Sequence, residues 1–238
     1  MNTPLVSGLT SPTGIAVSST NVYVANFNLG TIGEYDAVTG AAINTALVTG
    51  LDGSSGIAIS GNDLFVTTTG DGTVGAGSVL EYDATTGALI NPSLVTGLNY
   101  PVGVTVSGSN LFVVNNGGGA VSGSIGEYTT AGVTVNAALV TGLNDFPQYL
   151  AVFGTSLFVT NETAGTSSSG SIGEYDIATG SPINAALVTG LFQPFGIAVV
   201  GPLVPEPSTF VLGIAGLAGL ILVAMRKTNR HVQRAPAA

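Results

Sequence analysis

Pairs of carboxylates recur along this chain two residues apart, with a tyrosine between them. They are Glu34/Asp36, Glu81/Asp83 and Glu174/Asp176. Because successive residues of a β-strand point to opposite faces, each pair would place both carboxylates on one face. Carboxylates bind hard cations such as Ca²⁺ and can act as acids or bases. The pairs are therefore candidate binding residues for a cation or for sugar hydroxyls.

A second interpretation of these pairs comes from the Thr-Gly turn signals that follow them. An aspartate initiates a turn when its side chain accepts hydrogen bonds from backbone N–H groups two and three residues later. A structural device must recur in every unit, whereas a binding site need not. Recurrence therefore favours the turn role for Asp36, Asp83 and Asp176, with the glutamates expected at a solvated rim. The third copy, Glu127-Tyr128-Thr129, lacks the aspartate.

The remaining residues offer little for catalysis or for nucleic-acid binding. The only histidine is His231, all four Lys and Arg residues follow residue 225, and cysteine is absent. Nucleophile–histidine pairs and side-chain cations are thus excluded from residues 1–225. The absence of Lys and Arg there also argues against nucleic acid as a partner. We expect a non-catalytic protein with no metal and no cofactor. A carboxylate-metal hydrolase of the lactonase type is the alternative.

The segments that carry the pairs belong to a repeated unit. The phrase Leu-Val-(Ser/Thr)-Gly-Leu occurs five times, at 5–9, 47–51, 94–98, 139–143 and 187–191. The first full unit contains four strand-like segments bounded by turn residues. They are Gly14–Ser18, Asn21–Asn26, Thr31–Asp36 and Ile43–Thr49. Four short strands in about 45 residues are typical of a β-propeller blade.

Phrases in the second strand of the units resemble the NHL and YVTN-type propeller repeats. These phrases lie at Asn21–Asn26, Leu111–Asn115 and Leu157–Asn161. We predict an all-β fold, a β-propeller of about four four-stranded blades plus a partial fifth, followed by one transmembrane helix. A β-solenoid or a two-sheet sandwich is the alternative. The propeller should span 1–201, with units at 10–51, 52–98, 99–143 and 144–191 and a partial unit at 192–201. The asparagines that end the second strands (Asn26, Asn115, Asn116, Asn161) are expected in turns with positive φ, or at a ligand site.

The C-terminal region has three parts in a fixed order. A Pro-rich linker, 202–209, contains Pro205, Glu206 and Pro207, and an uncharged apolar run covers 210–225. A basic tail, 226–238, follows. Sixteen helical residues span about 24 Å, somewhat less than a bilayer core of about 30 Å, and flanking residues can complete the crossing. We predict a transmembrane helix with the basic tail in the cytoplasm and the acidic body outside; a buried core helix is the alternative. The residues assigned to the anchor are Phe210, Leu212, Gly213, Gly216, Gly219, Leu222 and Met225, and those assigned to the basic stop are Arg226, Lys227 and Arg230.

This order of parts resembles the sorting signal of bacterial PEP-CTERM proteins. The resemblance implies export, an exosortase-type membrane protease as partner, and processing near Pro205–Pro207. It also implies location first in the inner membrane and then at the cell surface or outside the cell, with exopolysaccharide or a surface protein as partner. A permanently anchored propeller is the alternative. Residues 1–9 contain no secretory signal, so we expect a truncated gene model with further blades upstream.

Overall fold

The computed structural model of the protein describes residues 4–119, 122–143, 146–162 and 169–199. The chain divides into two units, 1–199 and 200–238, and every described residue belongs to the first. The predicted linker, membrane helix and tail lie outside the described residues. In the described part, no helix has the length and apolar character needed to cross a membrane.

Sixteen strands form four antiparallel sheets, each built from four strands consecutive in sequence. The arrangement confirms the all-β prediction and four complete propeller blades, numbered here from the N-terminus. Blade 1 contains β1 (Pro12–Val17), β2 (Asn21–Asn26), β3 (Thr31–Asp36) and β4 (Ala42–Val48). Blade 2 contains β5 (Ser54–Ser60), β6 (Asp63–Thr68), β7 (Gly77–Asp83) and β8 (Leu89–Leu98). Blade 3 contains β9 (Pro101–Ser107), β10 (Asn110–Asn115), β11 (Gly123–Thr129) and β12 (Thr134–Leu143). Blade 4 contains β13 (Phe146–Phe153), β14 (Ser156–Glu162), β15 (Gly170–Asp176) and β16 (Pro182–Leu191).

The four strands of blade 1 lie within one or two residues of the segments predicted from the sequence. The β2–β3 hairpin runs from Asn21 opposite Asp36 to Asn26 opposite Thr31. A short 3-10 turn, Phe27–Leu29, closes it, and Gly30 ends that turn with φ +58°. A positive φ is easily adopted only by a residue without Cβ, which explains the glycine at this position.

The inner strands β1, β5, β9 and β13 lie side by side around the propeller axis. β5 packs against β1 and β9, and β9 packs against β13, while β1 and β13 share no comparable interface in the described part of the chain. Glycine permits the close approach of neighbouring inner strands. A Cβ on Gly103 would lie 2.7 Å from the carbonyl oxygen of Gln148, and one on Gly56 would collide with that of Val102.

The hydrophobic core lies between blades, so both faces of most sheets are buried. Between blades 2 and 3, Phe65 and Leu94 of one blade pack with Leu111 and Val113 of the next. Equivalent residues form the cores between blades 1 and 2 and between blades 3 and 4. Burial on both faces explains apolar runs without polar alternation, such as 111–114.

Repeat remnants flank the four blades at both ends. Residues 5–9 pack on blade 1 through Val6 and Leu9. Beyond blade 4, Thr160 Oγ1 donates to the carbonyl of Phe195 at 2.8 Å, as Thr67 Oγ1 donates to that of Val102 at 3.1 Å. Residues 195–199 therefore lie where the inner strand of a next blade would begin. Neither remnant belongs to a β-strand, so the predicted partial fifth blade is not formed as a sheet among the described residues.

Candidate functional site

The inner strands, together with Gly196, Ile197 and Val199 of the C-terminal remnant, line a central cavity of about 350 Å³. Each inner strand pairs with only one neighbour in its sheet, so its other edge faces the axis. The lining therefore combines aliphatic side chains with backbone N–H and C=O groups of four strand edges. At roughly 30 Å³ per water, the cavity has room for about ten waters or for a small polar ligand.

Tyr149 breaks the repeat at this cavity. It occupies in blade 4 the inner-strand position held by Gly14, Gly56 and Gly103 in the other blades. Its hydroxyl lies 3.5 Å from Ser55 Oγ of blade 2, and its ring centroid lies 5.8 Å from that of Phe195. Burial raises the pKa of the Tyr149 phenol, and the bond with Ser55 partly offsets that rise. A neutral phenol thus lies across one end of the channel, near the start of the inner strands.

The residues beside Tyr149 also differ from their counterparts in the other blades. The buried Gln148 side chain donates through Nε2 to Glu162 Oε2 at 2.6 Å. Asn116 Nδ2 donates to the carbonyl of Pro147 at 3.1 Å, which ties blade 3 to blade 4. A binding site is expected where repeated units differ, because shared features serve the fold. We therefore define Asn116, Gln148, Tyr149 and Glu162 as the channel-end site.

Buried acceptor atoms lie at the ends of the second strands that surround this end of the channel. Within the described residues, Asn115 Oδ1 and Asn161 Oδ1 have no hydrogen-bond partner, whereas Asn26 Oδ1 accepts a bond from Thr10 N at 3.3 Å. A buried polar atom without a partner is costly, so these two positions favour water or a hydroxyl-bearing ligand. Ser54 Oγ and Thr31 Oγ1 are unpartnered in the same way.

The expected positive φ at the strand-ending asparagines is wrong. Among the described non-glycine residues, only Ser11, Tyr100 and Gln193 have positive φ, between 44° and 50°. Each of the three directly precedes the proline that leads into an inner strand or its remnant. The positive φ values therefore occur in the turns that lead into the inner strands, whereas Asn26 and Asn115 are the last residues of buried strands and Asn161 is the last but one.

The three aspartates of the carboxylate pairs make the bonds predicted for turn residues. Asp36 Oδ1 accepts from the backbone N–H of Val38 and Thr39 at 3.0 and 2.7 Å, and from Thr39 Oγ1 at 2.8 Å. Asp83 and Asp176 form the same set with Thr86 and Thr179. In each case hydrogen bonds from the turn threonine lower the pKa of the carboxyl group.

The glutamates of the pairs do not all lie at a solvated rim, as the sequence suggested, because Glu34 is buried and Glu81 and Glu174 are half-buried. Glu34 is 5% exposed and accepts a 2.6 Å bond from Asn21 Nδ2. Glu127 is 9% exposed and accepts from Asn110 Nδ2 at 2.7 Å, and Glu174 accepts from Ser156 Oγ at 2.8 Å. In blades 1, 3 and 4 the first residue of the second strand supplies the donor, which makes burial of the carboxylate tolerable.

Blade 2 departs from this pairing because Asp63 occupies the donor position. Burial raises the pKa of Glu81, and the negative charge of Asp63 raises it further. Glu34, Glu81 and Glu174 belong to separate blades, and the structure does not bring their carboxylates together. Across the described ranges, no three His, Cys, Asp or Glu side chains form a group able to hold a metal ion. The residues assigned to the sorting motif, anchor and basic stop (205–207 and 210–230) lie outside those ranges.

No protein-family model matches the chain, and neither does any curated protein. Solved structures share its fold. Hydrazine synthase of Kuenenia stuttgartiensis is 19% identical over 79% of this chain and 52% of its own, with a TM-score of 0.58. A streptogramin B lyase structure is 18% identical over 80% of this chain and 59% of its own, with a TM-score of 0.56. The computationally designed Ika8 protein is 14% identical over 80% of this chain and 53% of its own, with a TM-score of 0.52. The chain thus spans only about half the length of these propellers, and the likeness concerns the fold.

Proposed function

We propose that the protein is an exported, non-catalytic binding or scaffold module that a C-terminal signal delivers to the membrane. The observation that carries this proposal is the order of Pro205-Glu206-Pro207, an uncharged apolar run and a basic cluster. All four Lys and Arg residues follow the apolar run, and all thirteen acidic residues precede it. Cations retained on the cytoplasmic side would leave the propeller outside. An exosortase-type protease would then release the body near Pro205–Pro207.

The absence of catalytic groups from the body supports a binding role. Two of the similar structures carry the names of enzymes, a synthase and a lyase. Residues 1–225 of this chain contain no His, Lys, Arg or Cys, so the usual nucleophile–base pairs and side-chain cations are not available there. The hydroxyls, amides and carboxylates that remain suit recognition by hydrogen bonding.

The channel-end site is the place where we expect a ligand to bind. The buried acceptors Asn115 Oδ1 and Asn161 Oδ1 call for donors, and the Gln148–Glu162 pair offers further acceptor atoms. The body has no cation that could attract an anion. These features favour a neutral ligand rich in hydroxyl groups, such as an uncharged exopolysaccharide.

Intact mass measurement tests delivery and processing. The full chain is produced in cells with and without an exosortase, each also carrying a variant in which Pro205, Glu206 and Pro207 are replaced by Ala. We expect loss of the residues that follow the motif only when the exosortase and the intact motif are both present. A C-terminus that is unchanged in every strain would refute processing and leave a permanently anchored propeller.

Polysaccharide binding tests the site separately. Retention of the full chain on neutral polysaccharide should fall by about tenfold in Gln148→Ala, since loss of one or two good hydrogen bonds to a ligand is worth about that factor. Val38→Ala changes an exposed side chain in a turn of blade 1 and serves as the matched control. Equal retention of both variants would exclude the channel end as the binding surface.

A further inference from the structure

The outer strand of every blade carries an exposed aliphatic residue followed by an asparagine. These strands, β4, β8, β12 and β16, are the outer edges of their sheets. The aliphatic side chains are between 52% and 55% exposed, and they are Ile43, Ile90, Val135 and Ile183. We call the residues that follow them the rim asparagines, and they are Asn44, Asn91, Asn136 and Asn184.

An edge of this kind favours the addition of a strand from another chain. Its backbone N–H and C=O groups can pair, and its exposed aliphatic side chains can pack against the added strand. Many proteins prevent such pairing with charged residues on the edge, lysine above all. The four segments around the rim asparagines contain no charged residue, and they are 42–46, 89–93, 134–138 and 182–186. Another means of protecting these edges is therefore needed.

The rim asparagines bind backbone N–H groups of their own strands. In each blade, the asparagine Oδ1 accepts a bond from the backbone N–H two residues later. The distances are 3.1 Å for Ala46, 3.0 Å for Ser93, 3.1 Å for Ala138 and 3.2 Å for Ala186. None of these four residues has a partner in the register with the third strand of its blade. The side chain thus supplies an acceptor from within the chain to an N–H group that a carbonyl of another chain could otherwise bind.

A bulge interrupts each outer strand at the same place. In blade 1, Asn44 lies opposite Glu34 and Val48 lies opposite Ile32, so three residues of the outer strand face Gly33 alone. The equivalent asparagine and valine of the other blades have the same register. A bulge bends its strand and breaks the regular spacing of the pairing groups. A straight strand from another chain consequently cannot align along the whole edge.

Proline reinforces the protection in two blades. Pro92 directly follows Asn91 and is exposed, and β16 begins with Pro182. Proline has no backbone N–H, which is why sheets accept it at edges, at strand starts and at bulges. Two residue types that occur at the outer edges therefore reduce the donors available for pairing.

We infer that the rim asparagines keep the outer edges closed to strand addition, so that copies of this chain do not join edge to edge. The asparagine recurs in all four blades, although the residue after it is Thr, Pro or Ala. Its side chain binds the N–H group that the bulge leaves unpaired, and the bulge prevents a continuous ladder. This protection is important wherever many copies lie close together.

Removal of the rim asparagines tests the inference. Sedimentation velocity measures self-association of the full chain in detergent micelles. In the variant with all four rim asparagines changed to Ala, we expect self-association to strengthen by at least about tenfold, because a freed N–H group can bond to another copy. The matched control changes Thr45, Ser93 and Thr134 to Ala. It removes exposed hydroxyls from the same outer strands, keeps all four asparagine bonds and should associate no more than the unchanged chain.

Hydrogen exchange locates the contact between copies. In the associated variant, the backbone amides of the outer strands should exchange more slowly than in the unchanged chain. Association without this protection would mean that another surface joins the copies, and it would overturn the inference. So would self-association equal to that of the control in a variant whose circular dichroism still shows the native sheets.

Single substitutions keep the test decisive if the fourfold variant does not fold. Asn44→Ala and Asn136→Ala each leave three rim asparagines in place, and each should associate more strongly than the control. No increase in either would contradict the inference. Ligand binding and exosortase processing have no part in these measurements, so the outcome is independent of the proposed function.

Discussion

Tyr149 and Ser55 face each other across the propeller channel, with 3.5 Å between the Tyr149 hydroxyl and Ser55 Oγ. The two residues belong to blades 4 and 2, which are not neighbours in the ring. A side chain reaches across only because blade 4 carries tyrosine where the other blades carry glycine. One substitution in a repeat therefore places a side chain across one end of a channel whose walls are otherwise regular.

Removal of this side chain should open the channel end. In Tyr149→Gly we expect a loss of about 1–3 kcal/mol in the free energy of unfolding, because the ring contact with Phe195 and its apolar burial disappear. Urea denaturation measures the change. Tyr149→Phe keeps the ring and should cost less than about 1 kcal/mol, the typical net worth of one hydrogen bond.

Ionisation of the Tyr149 phenol should also make the stability of the protein depend on pH. Burial raises the pKa of Tyr149 above the ordinary value of 10.0, so the folded protein keeps the phenol neutral where the unfolded chain ionises it. This contribution to stability is complete below about pH 10 and is lost as the pH rises through the folded-state pKa. In Tyr149→Phe, ultraviolet titration should show one fewer phenol ionising above pH 10.0. If the phenol lost in Tyr149→Phe is one that ionises at the ordinary value of 10.0, Tyr149 is accessible to water and its pKa is not raised.

The inner-strand glycines provide a matched pair of substitutions. Gly103→Ala should destabilise the protein by about 1–3 kcal/mol, because the added Cβ meets the backbone of Gln148 and Tyr149, which cannot move aside easily. Gly196→Ala adds the same methyl group in open space and should stay within about 0.5 kcal/mol of the unchanged chain. Thermal and urea unfolding measure both. Equal effects would mean that Gly196 is packed like the others.

The acidic pair of Asp63 and Glu81 in blade 2 should lower the stability of the protein at neutral pH. Asp63→Asn removes the charge near Glu81 and introduces an amide like those that donate to Glu34 and Glu127. We expect a gain of about 0.5–1 kcal/mol at pH 7. The reverse change in blade 3, Asn110→Asp, should lower stability, since it recreates the acidic pair beside Glu127.

The pH dependence identifies the cause of that gain. The raised pKa of Glu81 means that the folded state binds its proton more tightly than the unfolded chain does. Stability therefore falls as the pH rises from the ordinary value of 4.5 through the folded-state pKa. Asp63→Asn should flatten this slope in unfolding experiments between about pH 4 and pH 7. The same slope in both proteins would assign the shift to burial alone.

The turn aspartates should respond to acid in the opposite sense. Hydrogen bonds from the turn lower the pKa of Asp176, so its contribution to stability is complete above the ordinary value of 3.8 and is lost as the pH falls through the folded-state pKa. Asp176→Ala should lower the melting temperature at pH 7, and the difference from the unchanged chain should shrink in acid. Asp176→Asn keeps an acceptor oxygen and should lie between the two. A difference independent of pH would point to the turn backbone instead of the carboxylate.

The repeated features of the fold were predictable from the sequence, and the exceptions were not. The Leu-Val-x-Gly-Leu period and the turn signals predicted four blades, and the Asp36 turn followed from the Thr39-Gly40 signal. The buried Glu34–Asn21 bond was missed because a single sequence does not reveal the register that joins two strands. Tyr149 was missed although a signal existed. The phrase Leu150–Gly154 matches its counterparts poorly, and the glycine expected just before it is absent.

The core between each pair of adjacent blades uses equivalent positions on both sides, as Phe65 with Val113 and Phe112 with Val159 illustrate. A gene duplication that inserts one more unit of about 45 residues would therefore offer each neighbour a surface it already accommodates. Deletion of a unit would rejoin two compatible surfaces in the same way. Such a protein can change its number of blades by recombination without new side chains, so natural variants should differ by whole units more readily than by parts of one.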